Sequence, residues 1–313
     1  MDIPVINLLD FVSGDQQLKH DFVNKLGKAY EDVGFVSVVN GIPDALIAEM
    51  YKSTTDFFSL DHSTKAKYEI TKLAGQRGYT SFGREHAKGF DAPDLKEFFQ
   101  FGQVTPPEGR EKDQYPDNVT VDEIPEFTAT MLAAYKTFEK SGIILLQAIS
   151  LFLGLNEHYF DEHVNNGNSI LRAIHYPPIT EEPESALRAE QHEDINLITL
   201  LVGASAEGLE ILNMQGEWVP VTSLPDQIVV NVGDMLQRLT NDRLRSTKHR
   251  VVNPPKEKWG TSRYSIPFFL HPQGNMSLAC LDNCIDKSHP KAYEDYTAGE
   301  YLDERLREIG LKK

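Results

Sequence analysis

Apolar residues in the first half of the chain recur every three or four positions, the spacing of a helix with one buried face. In the first such segment, for example, Phe22, Leu26 and Tyr30 share one face. Two β-branched runs, 3–8 and 34–39, predict short strands among the helices. Helices are predicted over 16–33, 43–58, 125–154 and 157–164.

From Ser169 onward the pattern changes to short β-type runs separated by turn residues such as Pro177-Pro178 and Gly233-Asp234. Strands are predicted over 169–176, 197–202, 209–213, 218–221, 227–232, 248–252 and 264–270. Many short strands at close spacing are typical of an antiparallel sandwich or barrel. The glycine-rich and charged stretch 74–103 predicts an ordered loop or hairpin, and a last helix is predicted over 294–309.

These patterns predict an α+β fold with a mainly β core and helices on both sides of it. Three regions follow: an N-terminal helix and strand region over 1–125, a core with its supporting long helix over 126–290, and a C-terminal helix over 291–313. A chain of 313 residues can bury a large core. Because no Pro/Ser-rich linker separates the regions, we expect one structural unit.

Composition narrows the class of partner. The chain has 31 Lys and Arg against 47 Asp and Glu, a formal charge of -16, which disfavours binding to nucleic acids or anionic membranes. Its first residues lack the basic start of a signal peptide, and no apolar run approaches the ~20 residues of a membrane span. Two cysteines, Cys280 and Cys284, are too few for a disulfide framework. We expect a cytoplasmic protein that acts on a small molecule as a monomer or weak homo-oligomer.

The tripeptide His192-Glu193-Asp194 is the first candidate for chemistry. At the end of a strand, residues two apart point to the same side, so one imidazole and one carboxylate can bind the same ion. His249 follows 55 positions after Asp194, at the start of another β-type run. Either feature alone also fits an ordinary strand end. Together, two histidines and one carboxylate form the facial triad of non-haem iron(II) oxygenases, which leaves coordination positions open.

A second pair, Arg263 and Ser265, lies two residues apart on the strand that continues into an apolar run. A guanidinium and a hydroxyl on one face suit a carboxylate, because the guanidinium makes a two-pronged charged hydrogen bond. Pairing of Arg263 with one of the many acidic side chains is the alternative.

The ordered set of His192, Asp194, His249, Arg263 and Ser265 resembles the isopenicillin-N-synthase-like family of iron(II)/2-oxoglutarate-dependent oxygenases. The resemblance covers nearly the whole chain and includes further segments that are similar to family motifs. These are Ile3-Pro-Val-Ile-Asn-Leu, Gly34-Phe-Val-Ser-Val-Val-Asn-Gly-Ile, Gly78-Tyr-Thr-Ser-Phe-Gly, Asp94-Leu-Lys-Glu-Phe-Phe, Leu171-Arg-Ala-Ile-His-Tyr-Pro-Pro, Asn231-Val-Gly-Asp and Ser265-Ile-Pro-Phe-Phe.

The resemblance implies a double-stranded β-helix, or jelly roll, with iron(II) at its mouth. It implies His192, Asp194 and His249 as the metal ligands and as the catalytic centre. Arg263 and Ser265 would then bind the distal carboxylate of 2-oxoglutarate, and Tyr176 would add a hydroxyl, a core aromatic role being the alternative. The implied reaction uses O2 to hydroxylate, desaturate or cyclise a small organic substrate and yields succinate and CO2.

Two departures from the commonest family pattern keep other functions open. Glu193 stands where many members have Thr and isopenicillin N synthase has Glu, and Ile174-His175 stands where many have Asn-Tyr. Alternation along the strand predicts that Glu193 faces away from the metal. One alternative is a 2-oxoglutarate-independent iron(II) oxidase in which Arg263 and Ser265 bind the substrate's carboxylate. Others are a non-catalytic jelly-roll binding protein and a zinc hydrolase, which leaves Arg263 unexplained.

Substrate is expected over the metal. Its predicted surroundings are 78–83, 98–101, the strand near Leu197, and 268–270, with the C-terminal helix near 296–306 as a lid by family resemblance. Four cationic residues in the 74–103 stretch could meet an anionic substrate, although each is expected to be solvated. They are Arg77, Arg84, Lys88 and Lys96.

Overall fold

The computed structural model describes residues 3–73, 75–85, 93–104, 116–183, 186–203, 207–221 and 227–308. Within these residues there are eight α-helices and twelve strands. The helices are α1 (Leu8–Val12), α2 (Gln16–Asp32), α3 (Asp44–Phe58), α4 (His62–Ala66), α5 (Pro125–Phe152), α6 (Asp161–Val164), α7 (Asp234–Leu239) and α8 (Ala298–Glu308). The strands are β1 (Val5–Asn7), β2 (Phe35–Val39), β3 (Gly78–Thr80), β4 (Glu97–Phe101), β5 (Ile170–Tyr176), β6 (Ala189–His192), β7 (Ile198–Val202), β8 (Leu209–Leu212), β9 (Trp218–Pro220), β10 (Gln227–Val232), β11 (His249–Val251) and β12 (Arg263–Leu270).

Two sheets form the core of the molecule. The larger has the order β1-β2-β10-β7-β12-β5-β4-β3, and the smaller has the order β6-β11-β8-β9. Among these strands every pairing is antiparallel except that of β1 with β2. Two largely antiparallel sheets with flanking helices confirm the predicted α+β fold with a mainly β core.

The long helix α5 supports the larger sheet from behind. It begins with Pro125, whose missing N–H is not needed in a first turn, and buries an apolar stripe that includes Phe127, Met131 and Phe138. At Gly142 the helix approaches β12 so closely that a Cβ would lie 2.8 Å from Leu270 Cδ2. Because the helix packs directly on the back of β12, the front of that strand is left to form a cavity wall.

The N-terminal segments are built into the same sheet as the core. Strand β2 pairs with β10, and β4 pairs with β5, so both edges of the larger sheet are completed by the first hundred residues. One apolar cluster runs from Ile6 to Tyr301 through residues of all three predicted regions. None of the helices in the described ranges is long and apolar enough to cross a membrane.

Most predicted elements are confirmed, with ends shifted by a few residues. Strand β6 was not predicted, because Ala-Glu-Gln-His has no apolar alternation, and the short helices α1, α4 and α7 were not predicted, because five or six residues are too few for a helical period. The last helix begins at Ala298 instead of Glu294, and its predicted end at Ile309 lies outside the described residues, as does Ala74. The 74–103 stretch contains the predicted hairpin, β3 with β4.

Candidate metal centre and co-substrate site

Two strands of the smaller sheet place the two histidines face to face. His192 is the last residue of β6, His249 is the first residue of β11, and the register of the antiparallel pair sets them directly opposite each other. Their ring centroids are 4.4 Å apart. Asp194 lies two residues beyond the end of β6, in the turn that leads to β7. Of the pair His192 and Asp194, only His192 therefore belongs to the strand.

Each imidazole is held through the ring nitrogen that faces away from the other ligands. Nδ1 of His192 lies 2.7 Å from the Glu190 carbonyl oxygen, and Nδ1 of His249 lies 3.1 Å from the Thr247 carbonyl oxygen. A carbonyl oxygen can only accept, so Nδ1 carries the proton in both rings and Nε2 keeps its lone pair for a metal. The two Nε2 atoms lie 3.8 Å and 3.7 Å from Oδ1 of Asp194.

The other oxygen of Asp194 is occupied by two hydrogen bonds. Thr199 Oγ1 donates to Oδ2 at 2.6 Å, and Asn231 Nδ2 donates to the same atom at 2.8 Å. Asn196 Nδ2 in turn donates to Thr199 Oγ1 at 2.8 Å. These contacts fix the plane of the carboxylate and leave Oδ1 facing the histidines. The sequence did not indicate that Thr199 and Asn196 support Asp194, because Thr199 appears there only as one position of a buried strand.

The electrostatics of the three side chains suit a divalent cation. Burial, together with the neighbouring His249, lowers the pKa of His192 to about 4, so its ring is neutral at pH 7. Burial opposes ionisation of Asp194, but His249, His192 and the two hydrogen bonds outweigh it and hold the pKa of the carboxyl below its usual range. The three donor atoms lie within 4.8 Å of one another. Two neutral imidazoles and one carboxylate fit iron(II).

The metal centre opens into a cavity of about 1550 Å³. Alternation along β12 turns Arg263, Ser265, Pro267 and Phe269 towards this cavity, and His271 continues the series just beyond the strand. Strand β5, which pairs with β12, contributes every second residue in the same way. These residues are Ile170, Arg172, Ile174 and Tyr176.

One end of the cavity is strongly basic. Arg263 and Ser265 are buried, and Tyr176 stands opposite Arg263 in the strand register, with its ring centroid 4.9 Å from the guanidinium carbon. A second buried guanidinium, Arg188, donates to the Thr261 carbonyl at 2.9 Å. Burial and the neighbouring Arg263 lower the pKa of Arg188 to about 10. Two buried guanidiniums close together create a positive potential that suits a carboxylate.

Two of the cationic residues of the 74–103 stretch are buried, although each was expected to be solvated. Lys96 is buried between Glu85 and Asp94, at 2.7 Å from each carboxylate, and Arg77 is buried beneath Gly102. Arg84 is exposed, 3.7 Å from Glu69, and Lys88 lies outside the described residues. For Arg77 and Lys96 the expectation is wrong, because the flanking strands β3 and β4 carry both side chains into the interior.

Further predicted neighbours of the substrate line the cavity. They include Tyr79, Thr80, Phe98, Gln100 and Phe269. Glu193, which was expected from strand alternation to face away from the metal, lies beyond the end of β6 and lines the cavity. Helix α8 contributes Leu302 to the cavity wall and is attached to the core where Tyr301 donates its hydroxyl to Asp234 at 3.2 Å. Its predicted movement as a lid stays a prediction.

Comparison with known proteins gives matches to two family models. Residues 167–272 match the 2OG-Fe(II) oxygenase superfamily, and residues 3–123 match the N-terminal region described as non-haem dioxygenase in morphine synthesis. The proline hydroxylase buaE of Petromyces alliaceus is 33% identical over 98% of this chain and 99% of its own length. The 2-oxoglutarate-Fe(II) type oxidoreductase hxnY of Emericella nidulans is 29% identical over 99% of this chain and 92% of its own.

Solved structures agree with the relatives. A 2OG-Fe(II) oxygenase family protein from Caulobacter crescentus is 41% identical, with a TM-score of 0.88 over 98% of this chain and 99% of its own. A Neurospora crassa protein, solved in complex with alpha-KG and thymine, is 30% identical, with a TM-score of 0.85 over 98% of this chain and 96% of its own. These neighbours confirm the jelly roll that the sequence predicts.

These likenesses decide among the functions left open by the sequence. The relatives are 2-oxoglutarate-dependent enzymes, so the non-catalytic and the 2-oxoglutarate-independent alternatives are not favoured. The protein is an iron(II)- and 2-oxoglutarate-dependent dioxygenase that oxidises a small molecule. With its jelly roll, its His-Asp-His cluster and its relatives in agreement, the chain belongs to the 2-oxoglutarate/iron(II) oxygenase superfamily, as its resemblance to the isopenicillin-N-synthase-like family predicts.

Proposed function

We propose that His192, Asp194 and His249 hold the iron(II) of this dioxygenase. The observation that carries the proposal is that Nε2 of His192, Nε2 of His249 and Oδ1 of Asp194 lie close together in the cavity wall, while the other nitrogen or oxygen of each side chain is already hydrogen bonded. Three ligands on one side leave the positions that 2-oxoglutarate and O2 require. When bound there, iron(II) would activate O2, the oxidant, for reaction at an unactivated C–H bond.

Arg263, Ser265 and Tyr176 bind the distal carboxylate of 2-oxoglutarate in this proposal. The basic end of the cavity supports it, since a buried guanidinium and a hydroxyl on the same strand face offer matched donors to a carboxylate. Tyr176 lies against the guanidinium and can donate its hydroxyl to the same carboxylate. The work of these residues is to hold the co-substrate in one orientation, which places its oxo-acid end towards the metal ligands.

The substrate is a small organic molecule that is hydroxylated, desaturated or cyclised. Relatives point to two candidates of different chemistry: buaE is named a proline hydroxylase, and the Neurospora crassa protein was solved with thymine. Apolar and aromatic side chains of the cavity, among them Phe98, Leu201 and Phe269, keep water away from the reacting carbon.

The test is an anaerobic titration of the purified protein with iron(II) and 2-oxoglutarate, followed by succinate measurement in air. The wild type should bind both and release succinate slowly without substrate. The Asp194→Ala variant should lose iron binding and succinate release, while Asp32→Ala, an exposed control at the end of α2, should keep both. Unchanged iron binding in Asp194→Ala would refute the assignment of the ligands.

The remaining parts of the proposal concern cell biology and organisation. The acidic charge of -16 supports a protein that works in the cytoplasm, away from nucleic acids and membrane surfaces, as a monomer or weak homo-oligomer. The regions 1–125, 126–290 and 291–313 act as one unit in it, supported by the apolar cluster that they share.

A further inference from the structure

Strand β6, which ends at His192, is irregular where it pairs with β11. His192 lies opposite His249, and Ala189 lies opposite Val251, so the register shifts between the two pairs. Within this interval β6 has two residues, Glu190 and Gln191, where β11 has one. Such an extra residue is a β-bulge, which interrupts the regular hydrogen bonds of a sheet and changes the direction of the side chains beyond it. The orientation of His192 therefore depends on how the bulge is held.

The sheet itself gives β6 little support. In the described part of the smaller sheet, β6 is the end strand, with β11 as its single neighbour. Further hydrogen bonds come from the segment just before β4. Leu95 N donates to the Leu187 carbonyl at 2.9 Å, and the backbone N–H of Glu190 donates to Oδ1 of Asp94 at 3.0 Å. A residue of the bulge is thus held by a side chain from the N-terminal region.

The backbone of Glu190 connects Asp94 to the imidazole of His192. Its N–H donates to Asp94, and its carbonyl oxygen accepts from Nδ1 of His192 at 2.7 Å. The partner of the second ring nitrogen determines the direction of the nitrogen that binds a metal. Because Asp94 fixes the position of residue 190, it also fixes the carbonyl that orients the ring.

Asp94 is itself held firmly. Its side chain is buried, and Oδ2 accepts from Nζ of Lys96 at 2.7 Å, while Lys96 also lies 2.7 Å from Glu85. Burial opposes ionisation of Lys96, but Glu85 and Asp94 outweigh it and raise the pKa of the ammonium above its usual range. The backbone N–H of Asp94 donates to the Glu85 carbonyl at 2.9 Å. One carboxylate oxygen is therefore anchored by a cation, and the other holds the bulge.

We propose that Asp94 is a positioning residue of the metal centre, which sets the orientation of His192 through the backbone of Glu190. This inference rests on the proposed function, in which His192 is a ligand of iron(II), and deepens it. Asp94 belongs to the region 1–125, so the N-terminal region completes the metal centre as well as the larger sheet. The competing role, that of a mere counter-ion for Lys96, requires only the charge of Asp94.

The experiment compares two double variants that differ only in whether residue 94 can accept a hydrogen bond. They are Asp94→Asn/Lys96→Met and Asp94→Ala/Lys96→Met. Removing the anion and the cation together avoids an uncompensated charge, and Glu85 keeps Arg172 as its partner at 3.3 Å. Without Lys96, the asparagine amide can turn its oxygen towards the N–H of Glu190. Any effect of the lost ammonium is the same in both variants and cancels in the comparison.

The alanine variant should bind iron(II) about tenfold more weakly than the asparagine variant in an anaerobic titration, because the support of a ligand is lost. The KM for 2-oxoglutarate at saturating iron(II) should be the same in both variants. In the metal-free proteins, the amide of Glu190 should exchange its hydrogen about five- to tenfold faster in the alanine variant, the effect of one lost hydrogen bond, as measured by NMR.

Asp15 provides a matched control for a general loss of stability. Its carboxylate also accepts backbone N–H groups, from Gln17 at 2.8 Å and Leu18 at 3.1 Å, at the start of α2. Asp15→Ala should lower the free energy of unfolding, because the helix loses its cap. It should leave the affinity for iron(II) and the exchange of the Glu190 amide as in the wild type.

The inference is overturned if the two double variants bind iron(II) equally, if their Glu190 amides exchange equally, or if Asp15→Ala weakens iron binding to the same extent as the loss of the acceptor at residue 94. These outcomes leave the proposed function standing as long as the wild type binds iron(II). Failure of the wild type to bind iron(II) would instead contradict the proposed function.

Discussion

The hydroxyl of Thr199 donates to Oδ2 of Asp194 across 2.6 Å. Thr199 lies in β7 of the larger sheet, and Asp194 lies in the turn after β6 of the smaller sheet. This bond joins the two sheets at the point where the three proposed metal ligands meet. It also selects which carboxylate oxygen faces the histidines, because Oδ2 is engaged and Oδ1 is not.

Replacing Thr199 with Val should weaken iron binding about ten- to a hundredfold, the usual effect of losing a hydrogen bond to a ligand. The carboxylate loses one of its two anchors and can rotate away from the histidines. Thr199→Ser keeps the hydroxyl and should recover most of the affinity, measured as anaerobic iron(II) binding. Equal affinities of the Val and Ser variants would exclude this positioning role.

The variant Arg263→Lys should raise the KM for 2-oxoglutarate by about ten- to a hundredfold, the cost of one or two charge-assisted hydrogen bonds. Lysine keeps the charge but lacks the planar fork that matches a carboxylate. Anaerobic iron(II) affinity should change little, because Arg263 is not a ligand. A KM equal to that of the wild type would mean that the co-substrate binds elsewhere.

Gly233→Ala should weaken iron binding indirectly, although Gly233 does not contact the proposed metal ligands through a side chain. A Cβ at Gly233 would lie 2.2 Å from Oδ1 of Asn196 and 2.4 Å from its backbone oxygen. Asn196 must shift, and with it the hydrogen bonds to Thr199 and then Asp194. We expect a loss of about 1–3 kcal/mol in the free energy of unfolding, together with weaker iron binding. The matched control Gly260→Ala meets open space and should be neutral in both measurements.

The stability of the metal-free protein should fall as the pH drops from about 6.5 to about 4, in part because of His271. Burial lowers the pKa of this ring from 6.5 to about 4 in the folded protein. In that window the unfolded chain takes up a proton that the folded chain refuses, so acid favours unfolding. The contribution is up to about 3 kcal/mol.

Urea unfolding at several pH values checks the His271 effect. His271→Gln removes the titrating ring, so the difference in unfolding free energy between wild type and variant should change across this window and be constant above pH 7. His192 also has a lowered pKa, but it is present in both proteins and cancels in the difference. A difference that does not vary with pH would disprove the contribution.

The α+β class could be predicted from short-range patterns, whereas the jelly roll and the metal site were expected from the resemblance to a known family. Alternation along β12 indicated that Arg263 and Ser265 share a face, and their spacing to His249 matched a known order of motifs. Strand β6 could not be predicted, since its pairing with β11 is a tertiary effect that its polar residues do not indicate.

The hydrogen bonds around the proposed ligands could not be predicted from the sequence either. Asn196 and Thr199 are three positions apart, and only the turn after Asp194 brings both to the carboxylate. The same holds for Lys96, whose burial depends on Glu85 and Asp94 closing over it from separate segments.

Strand β12 carries Arg263 and Ser265 at its start and Phe269 near its end, and all three line the cavity, so in the proposed function one strand serves both the co-substrate and the substrate. Exchanging the cavity-lining side chains at positions 170 and 269 would then change the space for the substrate while the proposed oxo-acid site stays as it is. A one-residue insertion in β12 would do the opposite, since it would turn every side chain beyond it to the other face of the sheet. The architecture thus favours diversification by substitution and penalises change in strand length.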